Sequence, residues 1–78
     1  MGEVRNVSDS EFNDTVNSTE WVIVDFWAPW CAPCKAIGPV LESVAQEREI
    51  LVAKVDTEQN TSTAAQLGVR SIPALFMY

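Results

Sequence analysis

Two apolar, β-branched stretches, Trp21-Val22-Ile23-Val24-Asp25-Phe26-Trp27 and Ile50-Leu51-Val52-Ala53-Lys54-Val55-Asp56, flank one segment with helical spacing. No other feature of the chain limits its fold as strongly. Nearly continuous apolar runs of this length are strands buried on both faces, as in parallel sheets. Between them Ile37, Leu41, Val44 and Ala45 share one helical face, with Glu42, Gln46 and Glu49 elsewhere. Strand, long helix, strand is a βαβ crossover, so the expected fold class is α/β with two parallel strands joined by a right-handed connection.

The flanking segments fit the same unit. Ser8-Asp9-Ser10-Glu11 matches a capping box and predicts a short helix through Phe12 and Val16, ending near Asn17-Ser18. Ala28-Pro29-Trp30 forms the turn out of the first run. Pro33 is compatible with a first helical turn, whereas Pro39 lies deeper and is expected to kink the helix, because its ring removes a backbone hydrogen bond. Thr57 to Thr63 is a polar loop, a short helix is expected from about Thr63 to Leu67, and Gly68 stops it. Ser71 to Tyr78 starts around Pro73 and continues as a third strand. There is no repeat and no low-complexity segment, so residues 1–78 are expected to form a single domain.

Composition narrows the function classes. A chain of 78 residues buries only about 60% of the surface exposed when unfolded, so its stability margin is thin. Hydrophobic residues at 47% and charged residues at 21% fit a globular protein rather than a disordered one. The net charge of −6, with Arg5, Lys35, Arg48, Lys54 and Arg70 scattered, provides no basic patch for nucleic acid or an anionic membrane. No apolar stretch approaches the roughly 20 residues of a bilayer span. MGEVRNVSDSEF has no apolar signal core, and Asn6 breaks the myristoylation pattern, so the expected location is the cytoplasm.

Cys31 and Cys34 are the only cysteines, and there is no histidine. Positions i and i+3 in a first helical turn bring α-carbons within disulfide range. Cys31 stands where unpaired N–H groups and the positive end of the helix dipole favour an anion, which lowers its thiol pKa from about 8.5. Only the thiolate attacks a disulfide, so Cys31 is the expected nucleophile, and Cys34, one turn further in and shielded, the resolving thiol. Rival readings are a permanent staple, which adds little when it closes so small a loop, and a zinc site, which needs two chains because one chain supplies two ligands. Hydrolase chemistry with a histidine base is excluded.

VDFWAPWCAPCK at 24–35, VAKVD at 52–56 and GVRSIPAL at 68–75 together resemble the thioredoxin family, over about residues 4–78. The resemblance implies a three-layer α/β/α sandwich and a thiol–disulfide oxidoreductase that reduces protein disulfides. Carried over residue by residue, it implies catalytic roles for Cys31 and Cys34. Trp30 would flank the site at the surface, while Trp27 is taken as packing. Asp25, a carboxylate in a buried strand, would take a proton from Cys34 through water, its pKa raised by burial. Lys54 on the neighbouring strand would be its partner. Lys35 is read as thiolate support or a solvated helix lysine. Ile72 and Pro73 would form the substrate-docking loop, with Pro73 in cis and the Ile72 backbone pairing with substrate. An NADPH-dependent thioredoxin reductase, a flavoprotein, would return electrons, and the sulfurs carry them without a cofactor.

The chain departs from the family pattern in two places. Ala32-Pro33 stands where Gly-Pro is usual, a change expected to shift redox poise slightly. The family also continues with another strand and a helix, whereas Tyr78 is the last residue here, so a truncated sandwich with a bare apolar edge at Ala74–Tyr78 and a tendency to self-associate is expected. The alternatives left open are a non-catalytic peptide-binding module, a dimeric metal-thiolate protein, and an oxidase or isomerase direction of the same exchange.

Overall fold

A computed structural model describes residues 2–78; Met1, included in the single-domain expectation, lies outside the described residues. In chain order the elements are β1 (Glu3–Asn6), a 3₁₀ turn (Asp9–Glu11) leading into α1 (Phe12–Val16), β2 (Val22–Trp27), α2 (Ala32–Arg48), β3 (Leu51–Asp56), α3 (Thr61–Gln66) and β4 (Ala74–Met77). The sheet order is β1-β3-β2-β4. β1 and β2 pair with β3 in parallel, and β4 runs antiparallel to β2.

The two apolar runs form the centre of this sheet, as their two-sided burial requires. On one face Val22, Val24 and Phe26 lie beside Leu51, Ala53 and Val55 and pack against Phe12 of α1 and Ala64 of α3. On the other, Val52 packs with Leu41 and Ala45 of α2, with Ile23, Ile37 and Val4 at its border. Helices on both faces make three layers, the arrangement expected from the sequence.

The predicted elements are present, with two corrections. β1 was not predicted: its four residues carry one apolar position, Val4, and form a strand because β3 offers a free edge and α2 covers Val4. Gly2 brings that strand close to the end of α2, where an added β-carbon would overlap the Ala45 carbonyl oxygen. The other correction is α3, which starts at Thr61 instead of near Thr63. Asp9, distant in sequence, accepts hydrogen bonds from the Ser62 and Thr63 N–H groups, each at 3.0 Å, and so caps that first turn. α2 continues through Pro39 to a left-handed cap at Glu49 (φ 54°).

Candidate active site

The site is built where β2 hands the chain to α2. Ala28 is fully buried, and its carbonyl accepts the Cys31 N–H at 3.1 Å, closing the turn that Pro29 and Trp30 occupy. Cys31 is the N-cap of α2, with extended backbone (φ −89°, ψ 102°), and Pro33 falls in the first turn, where its missing N–H leaves no ladder bond unmade. The Cys34 N–H donates to the Cys31 sulfur at 3.3 Å. The two sulfurs are joined in a disulfide, with α-carbons 5.3 Å apart. In this geometry a Cys31 thiolate would sit against an orphan N–H and the positive end of a helix of 17 residues.

Exposure does not separate the two cysteines. Cys31 is 5% exposed and Cys34 2%, so the expected shielding of Cys34 applies almost equally to its neighbour. Position on the helix distinguishes them: only Cys31 caps it.

Pro73 follows a cis peptide bond from Ile72, and the Cys31 sulfur lies 3.9 Å from the Ile72 carbonyl oxygen. The disulfide sulfur has no proton to donate, so in this state the pair is a contact between the Ile72–Pro73 loop and the Cys31 sulfur. Trp30 stands at the surface, 67% exposed, with its indole N–H donating to the Glu58 carboxylate. The Asp56 carboxylate accepts the Glu58 N–H at 2.9 Å and shapes that loop. Beside the disulfide, Trp30, Thr57, Val69, Arg70, Ser71 and Ile72 line a groove of about 400 Å³. Glu58 was missed from sequence, since a loop glutamate carries no local signal of the indole it meets.

Asp25 is fully buried, and neither carboxylate oxygen has a hydrogen-bond partner among the described residues. Burial pushes its pKa up, and the positive charge of Lys54 partly opposes the rise. Asp25 and Lys54 are register partners on β2 and β3, as the expected pairing requires. Their side chains do not join, however: the Lys54 ammonium lies 4.5 Å from the centre of the Trp27 ring. Trp27 packs against the cluster of Ala28, Cys31 and Cys34, the packing role expected from sequence, and its ring also carries the Lys54 ammonium. Lys35 is an exposed residue of the first turns of α2.

The thioredoxin family model matches residues 3–78. The chain is 43% identical over 81 residues to thioredoxin of Synechocystis sp., covering 100% of this chain and 76% of that protein. It is 46% identical over 81 residues to thioredoxin 1 of Nostoc sp., with the same coverage. Among solved structures, a mutant thioredoxin from Halobacterium salinarum NRC-1 superposes with a TM-score of 0.91 at 35% identity, covering 97% of this chain and 68% of that one. A disulfide formed across the C-x-x-C at the head of α2, in a fold and a sequence that match along nearly the whole chain, places this protein in the thioredoxin family of thiol–disulfide oxidoreductases.

Proposed function

We propose that residues 1–78 act as one redox domain that reduces disulfides of protein substrates, with Cys31 as nucleophile and Cys34 as resolving thiol. The Cys31 thiolate attacks one sulfur of the target disulfide, forming a mixed disulfide and releasing the other target sulfur as a thiolate. Cys34 loses its proton to Asp25 and attacks the Cys31 sulfur. The second target sulfur leaves as a thiolate, the target has gained two electrons, and Cys31–Cys34 is the disulfide. Lys54 tunes the charge on Asp25. Trp30, Ile72 and Pro73 dock the substrate, whose backbone pairs with Ile72 as a short added strand. An NADPH-dependent thioredoxin reductase restores the dithiol, and the cytoplasm, where thiols are kept reduced, suits this direction of flow.

The observation that carries this reading is Cys31 as helix cap, with the Cys34 N–H aimed at its sulfur. The test is the pH dependence of iodoacetamide alkylation in the reduced protein. Cys31 is expected to react with a midpoint below that of a free thiol, and Cys31→Ser to remove that phase. In parallel, Cys34→Ser is expected to trap the mixed disulfide with a protein substrate. A Cys31 that titrates like free glutathione would sink the proposal.

Self-association is supported by the sheet edge. β4 is an outer strand with Leu75 52% and Met77 60% exposed. Sedimentation equilibrium is expected to show dimers that Met77→Lys weakens; a monomer at high micromolar concentration would refute this part.

A further inference from the structure

Lys54 and Asp25 lie side by side in the parallel register, the simplest geometry for an ion pair. The ammonium is instead over the indole of Trp27, and both Asp25 oxygens stay unpartnered. Trp27 follows Asp25 by two residues on β2, so both side chains stand on the α2 face of the sheet. A lysine stem on β3 starting beside Asp25 can therefore reach the indole diagonally. We infer that Trp27 is a positioning residue: its ring face holds the Lys54 ammonium off the Asp25 carboxylate and leaves that carboxylate without a partner. The inference rests on Asp25 as the proton acceptor proposed above.

The physical basis is a competition for one cation. An ammonium over an indole face is attracted by the ring quadrupole, more strongly where water is partly excluded. A direct Lys54–Asp25 contact would stabilise the ionised carboxylate and make it a weaker base for Cys34. With the ammonium held by the ring, its field reaches Asp25 without a hydrogen bond. The charged and titratable groups facing this pair are few. Cys34 lies on α2, in the cluster that Trp27 borders. Asp56 is the register partner of Trp27, and Glu11 and Asp56 line a cavity of about 370 Å³ with Lys54 and Trp27. Glu42 of α2 lines another cavity with Lys54. From β4 the register partner of Asp25 is Leu75, which is uncharged.

The oxidised protein isolates the effect, since neither sulfur titrates in the disulfide. Asp25 ionisation is followed there by the ¹³C shift of its side-chain carboxyl. Trp27→Leu is expected to raise the ratio of ionised to protonated Asp25, at a fixed pH on its titration limb, by about tenfold. Trp27→Phe, which keeps a ring face, is expected to stay close to wild type. Lys54→Met shifts the ratio the other way, and adding Trp27→Leu to it changes nothing further, because the ring acts only through the lysine.

Equal effects of Trp27→Leu with and without Lys54 would overturn the inference, since the ring would then act by excluding water. So would a shift with Asp56→Asn as large as that with Trp27→Leu, which would assign the hold to the carboxylate. If Trp27→Leu does not fold, fluorinated tryptophans, whose ring faces are poorer in electrons, take its place. The expected result is more ionised Asp25 with Lys54 present and no change in Lys54→Met; no change in either overturns the inference. The base role is tested separately by the pH profile of the Cys34 attack in Asp25→Asn. An unchanged profile removes that role, while the carboxyl titrations still decide what Trp27 does.

Discussion

Asp9 and Asp25 are the same side chain in opposite circumstances. Asp9 sits at the start of the 3₁₀ turn, and its carboxylate accepts the Ser62 and Thr63 N–H groups of α3 while its own N–H donates to the Asn60 side chain at 3.0 Å. Desolvation raises its pKa somewhat, but the hydrogen bonds from Thr63 and Ser62 prevail and hold it below the ordinary carboxylate range. Asp25 is sealed under α2 with no such donor, and its pKa lies above that range. A carboxylate with its hydrogen bonds made is an anchor. One left without them is poised to take a proton, at a cost in stability.

The largest effect that would sharpen this contrast comes from Asp25→Ala. Loss of the proposed proton acceptor is expected to slow the Cys34 attack by about 100-fold, read as accumulation of the mixed disulfide in stopped-flow experiments. The same variant is expected to be more stable than wild type by about 1–3 kcal/mol at alkaline pH, measured by urea unfolding. The sign follows from linkage. A carboxyl whose folded pKa is raised loses stability as pH rises through its folded value, so the advantage of Asp25→Ala should shrink on acidification. An advantage that grows in acid would break the comparison.

Asp9→Ala comes next, with the opposite sign. It is expected to destabilise by about 1 kcal/mol, as the loss of a helix cap does. Because the folded pKa of Asp9 is depressed, its contribution is present above the unfolded value and lost as pH falls through the folded one. The two variants should therefore converge on wild type at low pH from opposite sides.

The smallest expected effect concerns Glu58, a third carboxylate, whose partner is the exposed indole of Trp30. Glu58→Ala is expected to raise KM for a disulfide peptide by about two- to fivefold with kcat unchanged, and Glu58→Gln, which keeps an acceptor oxygen, to restore it. A fall in kcat with KM unchanged would remove Glu58 from substrate docking.

How these roles divide between chain and fold is clearest at particular residues. The β2–α2–β3 unit was legible because hydrophobic periodicity over long segments is a local signal, and so was Cys31 as a helix cap, since the strand-to-helix change falls at that residue. The capping sequence at Ser8–Glu11 was legible for the same reason, and Glu11 does accept the Ser8 N–H at 3.1 Å. β1 was not, because a four-residue edge strand with one apolar position is stabilised by its neighbour rather than by its own pattern.

What the amino-acid order determined unaided was the periodic framework and the reactive pair of sulfurs at its seam. Which carboxylate gathers donors and which goes without, and whether Lys54 meets Asp25 or the Trp27 ring, was decided by tertiary packing. The reason is that both depend on contacts between residues far apart in the chain or on neighbouring strands. Hydrogen bonds and charge–ring contacts act over a few ångströms, a distance that only the folded sheet and its helices define.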